Sequence, residues 1–228
     1  MNASIRFKLH FLITLFTILP LGAKAQDGGQ KTWLGAALNY KFANSWEAEA
    51  SFQHRSEGLI ETLDSYFGEF TLNHEVFLDF KLKGGLRYIQ NNDTQGKVQG
   101  IEDHLRFFMD LNYKHKLDRL EFKYRLRLQT EKELGLANAS RENLWRIRSG
   151  ALLKIKNWSL DPELSIEVFH HLPTSNAIGV HRWRYRIETD FSVAAGKLTL
   201  AYFIDRENRL NTSAFNTHII GMFYSFDL

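Results

Sequence analysis

The feature that most constrains this chain is an alternation of apolar and polar residues with a period of two, which is clearest at its end. The apolar positions there are Ile220, Met222, Tyr224, Phe226 and Leu228, with Gly221, Ser225 and Asp227 between them. Only Phe223 breaks the pattern. Such an alternation places every apolar side chain on one face of a β-strand. That face has to be buried, so the class of protein depends on whether protein or lipid covers it.

The same alternation recurs along the whole chain and predicts an all-β fold. Eleven segments carry it, at about 34–42, 46–55, 65–74, 80–90, 105–113, 120–129, 144–155, 158–169, 182–193, 198–205 and 220–228. In the segment 120–129 every position fits the pattern. Pro162 lies inside another segment and predicts a bulge, a break or a strand start there, because proline cannot donate a ladder hydrogen bond.

The connections between these segments alternate in length. Short connections are expected at 43–45, 76–79, 115–119, 156–157 and 194–197, and longer polar ones at 57–64, 91–102, 132–141, 171–181 and 206–214. Short turns on one rim and long loops on the other are typical of an antiparallel up-and-down transmembrane β-barrel. We expect 10–12 strands. Bacterial single-chain barrels have even strand numbers, so ten or twelve is favoured over eleven.

A soluble sandwich or lipocalin-like barrel would show the same alternation with its apolar face turned inward. The distribution of aromatic residues favours lipid instead, because they gather near both ends of the apolar faces as interfacial girdles do. Near the short turns these are Phe42, Trp46, Phe80, Tyr113, Phe122, Trp158, Phe191 and Phe226, and near the long loops Tyr66, Tyr88, Trp145 and Trp183.

The N-terminus reads as a cleaved signal peptide covering residues 1–25. Arg6 and Lys8 precede an apolar run at 11–21, and Ala23-Lys24-Ala25 is a small-residue cleavage site. The apolar run is too short for a membrane anchor, since a spanning helix needs about 20 residues. Residues 26–228 are therefore expected to form one exported β-barrel domain. We expect no disulfide and no lipid attachment, because the chain has no cysteine.

The charge balance argues against nucleic acid as a partner. The full chain has 29 Lys and Arg and 26 Asp and Glu, and three of the bases lie in residues 1–25, which hold no acid. The rest of the chain therefore carries 26 bases and 26 acids. A net charge near zero lacks the basic excess that phosphate backbones require.

The polar face is unusually ionic, and in a barrel it would line a narrow lumen. We predict a lumen-facing ionic network of Glu47, Glu49, Arg55, Arg87, Arg106, Asp110, Arg125, Arg127, Arg146, Arg148, Glu163, Glu167, Arg182, Arg184, Arg186 and Glu188, with Glu69, Glu121 and Asp190 on the same face. Two interpretations stay open. Interlocked acids and guanidinium groups could plug the barrel, or they could line a conduit for small anionic or zwitterionic solutes.

Catalytic chemistry is not indicated. A hydrolase needs a nucleophile and a base within hydrogen-bond reach. The candidate bases are His54, His74, His104, His170, His171, His181 and His218, and the candidate nucleophiles are Ser140, Ser175 and Ser213, but no recognisable spacing joins them. His170, His171 and His181 could form a metal site at one rim. Ordinary loop histidines are the favoured interpretation, so we expect no catalytic residue, no metal and no cofactor.

Several short motifs along the chain carry a resemblance to a known family. They are Trp33, Gln53-His54-Arg55, Gly84-Gly85-Leu86-Arg87-Tyr88, Arg125-Leu126-Arg127-Leu128, Trp145-Arg146-Ile147-Arg148 and the late His218. Taken together, the chain resembles the outer-membrane family known as domain of unknown function 2490. Gln129 and Glu131 depart from the tighter Arg/Glu series expected after Arg127. The resemblance implies a β-barrel in a Gram-negative envelope and carries over no catalytic residue.

These observations predict an integral outer-membrane β-barrel, either structural or a porin-like small-solute channel with a charged lumen. Its partners would be outer-membrane lipid and the barrel-assembly machinery, which recognises a closing strand like residues 220–228. One alternative is an outer-membrane barrel lipid hydrolase that uses a His and a Ser at the rim. Another is a secreted soluble barrel that binds an apolar ligand inside.

Overall fold

The computed structural model of the chain describes residues 29–94, 99–136, 139–156, 158, 160–172, 179–193, 196–208 and 214–228. The predicted signal peptide, residues 1–25, lies outside these residues. All regular structure in the described part is β-strand, which confirms the predicted fold class. No helix there has the length and apolarity that crossing a membrane would need.

Eleven strands close into a single barrel. They are β1 (Gln30–Ala43), β2 (Trp46–Glu57), β3 (Thr62–Phe77), β4 (Phe80–Asp93), β5 (Gly100–Leu117), β6 (Leu120–Glu133), β7 (Arg141–Leu153), β8 (Asp161–His171), β9 (Gly179–Val193), β10 (Gly196–Glu207) and β11 (Phe215–Asp227). Each of the eleven predicted segments corresponds to one strand. Pro162 is the second residue of β8, where a strand start was one of the expected outcomes.

The expectation of an even strand number was wrong. Each strand pairs antiparallel with the next one along the chain, and the barrel closes through a parallel pairing of β1 with β11. The reason is geometric: hairpins reverse the chain at every connection, so all odd-numbered strands run in the same direction. Closing an odd number of strands therefore brings the first and the last together in parallel.

Two rims follow from this order. The turn rim carries the connections 44–45, 78–79, 118–119, 154–160 and 194–195, and the loop rim carries 58–61, 94–99, 134–140, 172–178 and 208–214. The alternation of lengths differs from the prediction at two places. The connection 58–61 is only four residues long because β2 and β3 extend into it, and 154–160 is longer than expected because β8 begins at Asp161.

A small apolar cluster of the interior lies on the seam between the first and last strands. It contains Trp33, Ala201, Phe203 and Ile219, with Phe223 packed against it. Phe223 breaks the alternation of the last strand because its ring points inward. Glycine makes room for it: a Cβ at Gly35 would lie 2.8 Å from Phe223 Cδ1, and one at Gly221 would lie 2.6 Å from Phe223 Cε2. The rest of the interior is mainly polar.

Candidate functional site: the charged lumen

Neighbouring residues on a strand show the contrast between the two surfaces of the barrel. The side chain of Met109 points outward and is 66% exposed, whereas Asp110 points into the lumen and is 2% exposed. Leu128 and Arg127 repeat this contrast on the next strand, at 54% and 5%. The alternation that defines each strand therefore places apolar side chains outside and charged side chains inside.

All sixteen residues of the predicted ionic network stand on the inward-facing positions of their strands. They are Glu47, Glu49 and Arg55 on β2, Arg87 on β4, Arg106 and Asp110 on β5, Arg125 and Arg127 on β6, Arg146 and Arg148 on β7, Glu163 and Glu167 on β8, and Arg182, Arg184, Arg186 and Glu188 on β9. The alternation of the sequence alone was enough to assign them to one face of each strand. It was not enough to say which of them pair.

The most buried pair joins neighbouring strands. Arg127 donates from Nε to Asp110 Oδ1 at 2.6 Å and from Nη2 to Asp110 Oδ2 at 2.8 Å. This two-pronged geometry is the strongest form of an arginine–carboxylate contact. Across β3 and β4, Arg87 donates from Nε to Glu69 Oε2 at 2.6 Å, and its Nη2 lies 2.5 Å from the same oxygen. These contacts fix guanidinium planes against the barrel wall.

Other ion pairs reach across an intervening strand. Glu167 on β8 accepts hydrogen bonds from Arg125 at 2.5 Å and from Arg146 at 2.9 Å. Glu163 likewise accepts from Lys123 at 2.6 Å and from Arg148 at 2.5 Å. The pairs that involve β6 skip over β7, which is possible only because side chains converge in a narrow lumen. They tie three consecutive strands together.

Some predicted residues pair with partners outside the predicted set. Glu47 and Glu49 near the turn rim bind Lys81 at 3.4 Å and Lys83 at 3.1 Å. Toward the loop rim the acids are Glu131, which binds Arg106 at 2.5 Å, Asp205, which binds Arg184 at 2.6 Å, and Glu207, which binds Arg182 at 3.1 Å. Glu188, by contrast, pairs within the predicted set, with Arg186 and Arg148. The partners outside the set all lie on the polar face of their strands, so the alternation of the sequence could have included them in the prediction.

Aromatic rings that sequence reasoning missed lie between the arginines. Arg127 stacks over Phe108 at 3.8 Å, Arg87 over Phe67 at 3.7 Å and Arg146 over Phe169 at 4.3 Å from the ring centroids. Each ring occupies an inward-facing position between polar residues. An aromatic residue on the polar face of a strand was therefore the sequence feature that could have identified these rings. A guanidinium over an aromatic face is stabilised by the ring quadrupole, more so when water is excluded.

The arginines enclose a cavity of about 370 Å³ inside the barrel. All ten predicted arginines line it together with Lys83, while the carboxylates that line it are Glu69, Glu142 and Glu167. Several other acids, including Asp110 and Asp205, lie behind the guanidinium groups and do not line the cavity. The net charge of the sequence is near zero, but the groups that a solute in this cavity would meet are mainly positive.

Arg55 differs from the other nine arginines. Within the described part of the chain it forms no ion pair, whereas each of the other nine does. Its Nε also has no hydrogen-bond partner, a property that it shares with Arg125, Arg182 and Arg186. The carboxylate of Asp64 is held instead by Lys31 at 2.6 Å. The guanidinium of Arg55 is placed by rings, with its Cζ 4.2 Å from the centroid of Trp33 and 5.0 Å from that of Phe67.

The candidate histidines divide between the two surfaces. His171 and His181 lie in contact in the lumen near the loop rim, with centroids 3.9 Å apart and ring planes tilted by 43°, and His171 Nδ1 lies 3.3 Å from Glu142 Oε1. His170 packs outside against Trp145. In the described residues no group of three His, Cys, Asp or Glu side chains is arranged to hold a metal.

The remaining candidates for rim chemistry are dispersed. His74 stacks on Trp46 and His218 contacts Tyr202, both on the outer surface, while His104 contacts Glu131 in the lumen. His54 occupies an outward position on β2. Ser140 is exposed at the loop rim, and Ser175 and Ser213 lie outside the described residues.

Comparison with known proteins gives a family and no close relative. No curated protein and no solved structure matches the chain. A family model described as protein of unknown function (DUF2490) matches residues 30–216, which includes ten of the strands whole and the start of β11. A match over this much of the barrel agrees with the resemblance carried by the sequence motifs. The chain belongs to the DUF2490 family.

Proposed function

We propose that this protein is an integral β-barrel of the outer membrane. The observation that carries the proposal is that the closed barrel is apolar on its outer face and charged on its inner face. Apolar side chains that are more than half exposed are distributed over β2, β3, β5, β6 and β8 and include Phe52, Phe70, Phe107, Met109, Leu128 and Leu164. A belt of this kind is far larger than the patches that soluble monomers expose.

A soluble barrel with an apolar ligand inside would need the reverse arrangement. The side chains that reach the lumen are mainly arginines and carboxylates, and its few aromatic rings are covered by guanidinium groups. The charged interior therefore favours lipid acyl chains over an apolar ligand as the environment of the apolar faces.

Aromatic stacking along the turn rim supports an interface with lipid headgroups. Phe80 stacks on Tyr113 at 4.6 Å, and His115 stacks on Phe122 at 5.1 Å. Phe42 and Trp46 form a similar pair at 6.4 Å between centroids on the first hairpin. Aromatic girdles of this kind flank the apolar band of membrane barrels. The turn rim would then face the periplasm and the loop rim the outside.

Cell fractionation combined with heat-modifiable migration tests membrane integration. We expect the protein in the outer-membrane fraction, resistant to carbonate extraction, with a folded band in detergent gels that shifts on boiling. A protein that stays in the periplasmic fraction, monomeric and without detergent, would contradict the proposal.

The cavity favours a role in passing or retaining small anions over a purely structural role. Among the described residues, eleven cationic side chains and three carboxylates line it, so a solute inside meets a strongly positive surface. Conductance of the purified protein across a planar bilayer tests this role. We expect currents that are selective for anions. A barrel that conducts nothing would instead be plugged by its ion pairs, with a structural role.

A further inference from the structure

The surroundings of Arg55 in the lumen suit an anion that the described part of the chain does not supply. Arg55 stands between the rings of Trp33 and Phe67, at 4.2 and 5.0 Å from their centroids. Each of these rings contacts a second arginine. Arg184 lies 4.8 Å from the centroid of Trp33, and Arg87 lies 3.7 Å from that of Phe67. Two rings thus hold three guanidinium groups around one part of the cavity.

The carboxylates nearby are already engaged. Glu69 accepts from Arg87 at 2.6 Å, and both oxygens of Asp205 accept from Arg184 at 2.6 Å. The three guanidinium groups and two carboxylates leave one positive charge uncompensated. That charge belongs to Arg55, the member without an ion pair in the described residues. A buried cation without a partner is strongly unfavourable unless an anion joins it.

The free hydrogen-bonding groups at the same place are all donors. Arg55 Nε, Gln53 Nε2 and Trp33 Nε1 are buried and have no acceptor in the described part of the chain. Gln53 precedes Arg55 by two residues on β2, so both side chains point into the lumen. Unpartnered buried donors are costly. Donors without acceptors select a ligand that offers several acceptor oxygens.

We propose that the part of the cavity at Arg55 is a binding site for a small water-soluble oxyanion, of which phosphate is the simplest. Arg55 supplies the uncompensated charge and a donor fork, Gln53 and Trp33 supply neutral donors, and Arg87 and Arg184 add positive potential while held by their own carboxylates. The cavity of about 370 Å³ leaves room for a compact organic body attached to the anionic group. The inference deepens the small-anion role proposed above and depends on it only for how the anion reaches the site.

Calorimetric titration of the full barrel in non-ionic detergent with inorganic phosphate, at constant chloride, tests the site. The wild type is expected to bind one phosphate saturably. Arg55→Gln is expected to weaken binding about tenfold or more, because it removes a charge-assisted hydrogen bond, and Arg55→Lys to lie between the two. Lys116→Gln is the matched control, since this cation lies at the turn rim and its side chain is 63% exposed. Its binding should equal that of the wild type.

Heat-modifiable migration establishes that each variant is folded. If Arg55→Gln does not fold, Gln53→Leu provides the test, because it removes a donor without changing the charge and should still weaken phosphate binding. The site is overturned if the wild type shows no saturable phosphate binding, or if neither variant weakens it. Competition by phosphatidate-containing micelles would overturn the assignment to a soluble ligand in favour of a lipid headgroup.

Bilayer recordings separate this site from the wider role. Anion-selective current without phosphate binding would overturn the site and leave passage intact. Phosphate binding without current would support the site and contradict passage.

Discussion

Leu34 of β1 lies directly beside Met222 of β11, and the two strands run in the same direction. His54 of β2 flanks Leu34 on its other side. These three side chains form one row across the seam where the barrel closes. The row distinguishes the eleven-strand barrel from a ten-strand barrel in which the first strand stays outside the sheet.

Paired cysteines test the seam on a chain that has none of its own. Leu34→Cys with Met222→Cys should form a disulfide on mild oxidation, because adjacent strands are about 4.8 Å apart and a disulfide spans Cα atoms up to about 6.8 Å apart. His54→Cys with Met222→Cys should not, since one strand separates them. Gel mobility before and after reduction reads out both. In a ten-strand barrel with β1 outside the sheet, the disulfide between positions 34 and 222 should not form.

The close approach of Gly85 to Phe108 gives a second prediction. A Cβ at Gly85 would lie 2.3 Å from the Phe108 ring and 2.8 Å from Thr71 Cγ2, whereas one at Gly84 would meet nothing within 4 Å. Gly85→Val should therefore lower the free energy of unfolding by about 1–3 kcal/mol more than Gly84→Val, as overpacking does. Urea titration of the folded band in detergent measures the difference. Equal effects would mean that Gly85 does not face the packed lumen.

The buried pair of Asp110 and Arg127 gives a third prediction. Asp110→Asn leaves a buried guanidinium without its carboxylate and should cost about 3–5 kcal/mol of unfolding free energy. Adding Arg127→Gln should recover part of that loss, because it removes the unpaired charge. Lys116, which is 63% exposed and lies 3.7 Å from Glu121, is the control, and Lys116→Gln should cost no more than about 1 kcal/mol. Similar losses for both pairs would contradict the burial of the ionic network.

The proposed membrane position gives a fourth prediction, which compares two residues of β5. Met109 and Ile101 both point outward from β5 and are 66% and 63% exposed. Met109→Lys should reduce stability in lipid vesicles by about 2–4 kcal/mol, because it places a charge at the middle of the apolar band, and Ile101→Lys by no more than about 1 kcal/mol near the rim. Urea unfolding from vesicles measures both. A cost independent of depth would argue against acyl chains around the strand.

Much of this architecture could be predicted from the sequence because strand geometry allows little choice. Residues two apart share a face, so Arg125 and Arg127 had to lie together, and Tyr124 and Leu126 had to lie opposite them. The family could also be recognised from its motifs. The strand number could be counted as eleven, but the expectation of an even number, drawn from other bacterial barrels, pointed away from the correct value.

The pairing inside the lumen could not be predicted in the same way. Glu167 meets Arg125 across an intervening strand, which depends on the lumen width and on the stagger of three strands. The isolation of Arg55 depends on Lys31 holding Asp64, a contact between residues 33 apart. Local alternation contains none of this information. Phe67 and Phe108 were missed because an aromatic residue on a polar face breaks the alternation. Its role becomes evident only when the structure places an arginine over the ring.

The most direct test of the account is the environment of residue 109 in a lipid bilayer. A nitroxide attached to Met109→Cys should collide mainly with oxygen, which concentrates among acyl chains, whereas the same label on Ile101→Cys should collide mainly with a water-soluble nickel complex. Electron paramagnetic resonance measures both collision rates in reconstituted vesicles. Dominant oxygen collisions at position 109 are the predicted result. Dominant nickel collisions there would contradict the claim that lipid covers the outer face of this barrel.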